Sequence, residues 1–100
     1  MKRFLTILIL MLSVFSITNT YSEEMHKEYY DSGKILKESH FSNDKKNGLE
    51  KIYYENGKIS SIKNYKNGKA DGEYIEYYTD GKLKLKGRYK NGLRDGEFKT

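Results

Sequence analysis

Beyond residue 22 the chain reads as short runs of alternating polar and apolar positions, punctuated by Asn-Gly, Asp-Gly and Ser-Gly pairs. Alternation is the period of a strand, whose successive side chains point to opposite faces. No run in this part sustains a helical period. Asn56-Gly57 and Asp80-Gly81 suit two-residue type I′ turns, which need φ > 0 at both central positions, and Ser32-Gly33 is a weaker version at the equivalent place. Asn67-Gly68 and Asn91-Gly92 mark a second turn, with the less favourable Asn43-Asp44 standing for it earlier in the chain. Tyrosine and β-branched residues flank the turns and favour strands. The pattern predicts an antiparallel hairpin meander.

The pattern also repeats. Glu28–Lys51, Ile52–Ile75 and Glu76–Lys99 align without insertion at a period of 24 residues. Identical in all three are Tyr29/Tyr53/Tyr77, Tyr30/Tyr54/Tyr78, Gly33/Gly57/Gly81, Lys34/Lys58/Lys82, Asn43/Asn67/Asn91 and Gly48/Gly72/Gly96. Ile35/Ile59/Leu83 and Phe41/Tyr65/Tyr89 keep their character. The expected fold class is therefore all-β: two strands per repeat in one open, elongated sheet, each repeat stacking on the next. With Asn56-Gly57 as the whole loop, Tyr54 faces Ile59, Tyr30 faces Ile35 and Tyr78 faces Leu83. Tyr29, Tyr53 and Tyr77 then lie on the opposite, wetter face, across from Leu36, Ser60 and Lys84. Glu97–Thr100 reads as a stub of a last strand, leaving an open C-terminal edge open to self-association.

Residues 1–22 change the picture of where the domain works. Lys2 and Arg3 precede a largely apolar stretch, Phe4 to Ile17, followed by small polar residues with Thr18/Thr20 or Thr20/Ser22 at the cleavage positions. These are the three parts of a secretory signal, and the apolar stretch is shorter than the roughly 20 residues a spanning helix needs. The expected organisation is a signal peptide at 1–22, a short flexible lead at 23–27 and a repeat domain at 28–100. A bacterial secreted, periplasmic or envelope location follows from the signal.

Composition then removes several functions. The chain has no cysteine, which excludes a disulfide scaffold, a thiolate zinc site and a thiol nucleophile. A domain this short buries only about 60% of its unfolded surface, too little for a large enclosed site. His26 and His40 are the only histidines, and His40 aligns with Asn64 and Arg88, so the repeat does not require an imidazole. His26 with Glu23, Glu24 and Glu28 lacks a fixed metal geometry. No nucleophile elbow or phosphate-binding loop occurs. Neither catalysis, a metal nor a cofactor is expected, and export argues against nucleic acid as partner.

Two sets of residues stand out as candidate binding sites. Lys82, Lys84, Lys86, Arg88 and Lys90 alternate with Leu83, Leu85, Gly87, Tyr89 and Asn91, and no acid interrupts residues 81–94. On a regular strand the five charges share one face. They would suit an anionic partner such as lipid headgroups, acidic glycan or an acidic protein. A solvated face protecting an edge is the plainer reading and the preferred one. Tyr29, Tyr53 and Tyr77, two strands apart and hence roughly 9–10 Å from one another, would form an aromatic ladder interleaved with lysine.

Tyr65-Lys-Asn-Gly-Lys-Ala-Asp-Gly72 followed by Glu76-Tyr-Tyr-Thr-Asp-Gly-Lys-Leu83 resembles the MORN-variant repeat, as does Tyr89-Lys-Asn-Gly-Leu-Arg-Asp-Gly96. The likeness covers residues 28–99, with Asp44 replacing the turn glycine in the first copy. It implies a protein- or membrane-contacting module, antitoxin-like in the usual description of bacterial members, and implies no catalytic residues. Protein–protein contact at the envelope is the expected function, through the tyrosine face or by strand addition at the open edge. Electrostatic docking on an anionic lipid or glycan through Lys82–Lys90 is the alternative.

Overall fold

A computed structural model describes residues 23–100 and, as backbone, residues 4–10. The N-terminal charges Lys2 and Arg3 and the cleavage region of the expected export signal lie outside the described residues. Within them the chain forms one sheet of eight antiparallel strands in strict sequence order. The strands are β1 (Phe4–Leu10), β2 (Glu23–Tyr30), β3 (Ile35–Ser42), β4 (Lys45–Tyr53), β5 (Ile59–Lys66), β6 (Lys69–Tyr77), β7 (Leu83–Lys90) and β8 (Leu93–Arg94). The apolar stretch expected in the export signal supplies β1, whose Phe4–Leu10 pair with Tyr30–Glu24 of β2. Residues 23–27, read from the sequence as a flexible lead, are the first half of β2 and pair with Ser42–Glu38. The all-β, open-meander expectation is what the structure shows.

The two kinds of turn differ from each other. Asn67 and Gly68 both have positive φ (50° and 87°), and Lys66 pairs directly with Lys69 across them. That is the two-residue hairpin expected from Asn-Gly. Asn43 and Asp44 adopt the same geometry, with φ of 50° and 68°, so the first repeat makes this turn without the glycine.

At the other turn the expectation fails. Only Gly57 has positive φ there; the Gly57 amide donates to the Tyr54 carbonyl at 2.9 Å, and the Tyr54 amide to the Lys58 carbonyl at 2.8 Å. The loop is three residues, a tight turn closed by one left-handed glycine, rather than a two-residue I′ turn. Asn56 Oδ1 accepts from the Lys58 amide at 2.8 Å and holds the tip. Beside the turn the register therefore moves by one, Tyr29 pairing with Ile35, Tyr53 with Ile59 and Tyr77 with Leu83, while the pairs beyond keep the expected register, as Ile52 with Ser61 does. Leu36, Ser60 and Lys84 become bulged residues without a cross-strand partner.

A second irregularity explains the Gly48/Gly72/Gly96 column. Lys63 pairs with Tyr74 but Tyr65 pairs with Ala70, so β6 carries two extra residues opposite Asn64. Gly72, at φ 110°, sits in this bulge, where a Cβ would come within 3.2 Å of Asn64 Cβ. Only a residue without a side chain fits that bend at no cost.

Pairing sorts the side chains between two faces. The first carries His26, Ser39, Phe41, Glu50, Lys63, Tyr65, Tyr74, Glu76 and Tyr89; the second carries Glu38, Tyr53, Ile62, Glu73, Ile75, Lys86 and Arg88. No second layer covers either face among the described residues. Consequently the only buried residues there are Tyr30, Ser39 and Glu50, at 8%, 2% and 7% exposure, and Gly87.

The hairpin tips hold the stack. The Tyr30 hydroxyl donates to the Tyr53 carbonyl at 2.8 Å, and the Tyr54 hydroxyl to the Tyr77 carbonyl at 2.7 Å. Asn56 Nδ2 donates to the Thr79 carbonyl at 3.0 Å. This explains the second tyrosine column: it joins each hairpin to the next instead of pairing within its own.

Candidate functional site

The outer tyrosines Tyr29, Tyr53 and Tyr77 do share the second face, all half-buried. Their neighbours across the strands are Ile35, Ile59 and Leu83, so the expected lysine interleaving is replaced by aliphatic packing. An aromatic opposite a branched aliphatic contributes roughly 0.2–1 kcal/mol per pair, which gives the column a structural reason to repeat. The Tyr53 hydroxyl donates to Glu38 Oε1 at 2.9 Å. Burial, then that hydrogen bond and the Glu38 charge, push the Tyr53 phenol up to about 12.

The basic run does not form one strip. Glu76 pairs with Leu85 while Tyr77 pairs with Leu83, leaving Lys84 as the bulge. The Lys84 ammonium lies 3.8 Å from Glu76 and 5.7 Å from the centre of the Tyr78 ring, on the first face. Lys86 lies 3.5 Å from Glu73, on the second. Lys82 is in the hairpin tip, its amide bonded to Asp80. Of the five charges, Lys86, Arg88 and Lys90 keep the alternation that puts them on one side.

What the structure brings together instead is an aromatic cluster on the first face. Tyr74 meets Tyr89 edge-on at 5.8 Å, and Phe98 lies 5.4 Å from Tyr89 and 6.3 Å from Tyr74 between ring centres. Lys63 points its ammonium among three rings, 5.8 Å from Tyr65, 5.2 Å from Tyr74 and 5.3 Å from Tyr89. Ring faces carry negative potential, so each such contact attracts the cation. Lys46 lies 4.8 Å over Tyr65, and the Arg94 guanidinium 4.3 Å over Phe98. Gly87 makes room for this packing: a Cβ there would stand 2.5 Å from the Phe98 ring. The Tyr74 hydroxyl donates to Glu76, and burial together with that carboxylate raises the phenol well above its usual range. Tyr65, Tyr74, Tyr89 and Phe98 are all half-buried and so offer ring surface to a partner.

In the first repeat the same face is ionic. Glu50 accepts from Ser39 Oγ at 2.9 Å and from Lys46 Nζ at 2.6 Å, with Lys37 at 4.0 Å reaching on to Glu28 at 3.1 Å. Burial alone would raise the Glu50 carboxyl, yet the hydrogen bonds from Lys46 and Ser39 and the charges of Lys46 and Lys37 together bring it below its usual value. His26 stacks on Phe41 at 4.3 Å. Among the described residues no three His, Asp or Glu side chains converge as a metal site.

Sequence reading missed the aromatic cluster because its members sit on three strands and the C-terminal segment, brought together by register. One signal was present: Tyr65 and Tyr89 recur 24 residues apart, and so do Tyr74 and Phe98.

Among the described residues the chain is a single hairpin sheet with aromatic and charged side chains displayed on its faces. The MORN repeat variant matches residues 26–43, 46–67 and 70–91, and the chain belongs to that family. Each match is one hairpin, β2–β3, β4–β5 and β6–β7, so the structural unit runs strand–tip–strand, in a different phase from the cuts at 51/52 and 75/76. No curated protein and no solved structure matches the chain. MORN repeats generally serve as protein- or membrane-binding modules.

Proposed function

We propose that this chain is an exported, non-catalytic repeat module that makes protein–protein contact at the bacterial envelope. The observation that supports it is the half-exposed cluster of Tyr65, Tyr74, Tyr89 and Phe98 around Lys63, on a face that no second layer covers among the described residues. Aromatic rings concentrate contact energy at interfaces, and here they are held in place by neighbours, so little side-chain freedom is lost on binding. Neutralising contact with a toxin, the role given to bacterial relatives of this repeat, would be one form of such binding. Docking on lipid or glycan through the whole Lys82–Lys90 run has less support, since the bulge at Lys84 divides it and Glu73 and Glu76 neutralise part of it.

The test is capture from native envelopes on the immobilised chain, washed at low and then high salt, with bound material identified by mass spectrometry. A defined protein retained at high salt, and lost on Tyr89→Ala, supports the reading. Retention of lipid or glycan alone, released by salt, overturns it.

A further inference from the structure

The charge on the sheet is uneven. Residues 76–99 hold seven bases against four acids, whereas residues 28–51 hold five of each. With the bulge turning Lys84 away, Lys86, Arg88 and Lys90 stand at alternate positions of β7 on the second face, all exposed. Among the described residues the side chains of Arg88, Lys90 and Lys99 form no ion pair, and Lys86 is held by Glu73 alone. Lys86 and Arg88 line a cleft of about 370 Å³ with Leu83 at one end, Glu73 on the β6 side, and Glu97 and Lys99 on the other. Leu83 is half-exposed, at 51%.

The geometry points to an acidic, extended polypeptide segment docking along β7, with alternate carboxylates on Lys86, Arg88 and Lys90 and an apolar side chain against Leu83. Side chains on one face of any extended strand recur about 6.8 Å apart, so such a segment matches the spacing of these cations without adjustment. Neighbouring rows bear carboxylates, Glu73 on β6 and Glu97 beside Lys99, which restrict the positive track to about one strand's width of roughly 4.8 Å. A planar anionic membrane would be repelled by those flanking carboxylates, while a single strand lies between them. This inference rests on the chain being a protein-binding module, and it names the chemistry of one partner segment.

The experiment uses the full chain and a fluorescein-labelled decapeptide of alternating Glu and Thr, with phosphatidylcholine vesicles containing one third phosphatidylserine as the competing surface. Saturable peptide binding is expected, falling about tenfold or more between about 50 and 500 mM salt as screening shortens. Lys86→Glu with Arg88→Glu should weaken it at least about tenfold, the scale of losing charge-assisted contacts. Lys84→Glu should leave it unchanged, and far-UV circular dichroism confirms that each variant is folded. Absence of saturable binding, equal weakening by Lys84→Glu, or vesicle binding in place of peptide binding overturns the proposal. Envelope capture that persists when the peptide does not bind refutes this docking track and spares the module; peptide binding without any captured protein does the reverse.

Discussion

Tyr54 reaches across to the next hairpin and donates its hydroxyl to the Tyr77 carbonyl at 2.7 Å, as Tyr30 does to Tyr53 at 2.8 Å. These bonds couple neighbouring repeats at the hairpin tips, beside the bond from Asn56 to the Thr79 carbonyl. Tyr30→Phe should therefore destabilise the protein by about 1 kcal/mol, the net worth of one such bond. Tyr78 is half-exposed, at 50%, and its hydroxyl has no acceptor among the described residues, so Tyr78→Phe should be nearly neutral. Urea unfolding of the two variants measures the difference; equal effects would show that the tips do not couple the repeats.

Acid should act through Glu50. Its folded carboxyl lies below the usual value of 4.5, so its stabilising effect is fully present above that value and is lost as pH falls through the lower, folded one. Thermal midpoints should drop over that interval in the wild type. In Glu50→Gln they should start lower at neutral pH and change less, because Lys46 and Lys37 lose their shared partner.

Alkali should act through Tyr53. The folded phenol sits at about 12 against an ordinary 10.0, so the protonated form stabilises the fold below 10 and that contribution disappears as pH rises through about 12. Tyr53→Phe should flatten the stability profile across this window. Circular dichroism during base titration, compared with Glu38→Gln, checks the assignment.

Gly87→Ala tests the aromatic cluster. The added methyl meets the Phe98 ring, whose atoms lie 2.5 Å from the Cβ position. Overpacking of this kind costs about 1–3 kcal/mol unless the neighbour moves. The expected result is displacement of Phe98 and its segment, seen as shifted Tyr74 and Tyr89 ring signals in NMR spectra and faster proteolysis near residue 97. Unchanged ring signals would contradict the packing.

The contrast between the two turns shows what the sequence could carry. Asn67-Gly68 was legible because a I′ turn needs positive φ at both residues and the pair supplies it. Asn56-Gly57 looks alike, but only its glycine takes positive φ, and the loop gains a residue. The one-residue slip stays beside the turn, because the bulges at Leu36, Ser60 and Lys84 absorb it and Ile52 with Ser61, like Glu76 with Leu85, pairs in the expected register. Hence Tyr53, rather than Tyr54, meets Ile59, and Lys84 leaves the basic row. The repeat, the strand order and the outer tyrosine face survived that slip because the 24-residue period does not depend on it. The Tyr65, Tyr74, Tyr89 and Phe98 cluster rests on a separate feature, the bulge at Gly72 that sets how β5 and β6 meet, which the alternation of residues does not mark.

The central claim is that the aromatic cluster on the first face of the sheet binds a protein partner, apart from the acidic segment placed along β7. Site-specific photocrosslinking in intact cells tests this most directly, with a photoreactive phenylalanine placed in turn at Tyr65, Tyr89 and Tyr53. The account predicts a discrete crosslinked protein from positions 65 and 89, retained at high salt, and none from 53. Crosslinks arising only at 53, or adducts to lipid from all three positions, would contradict it.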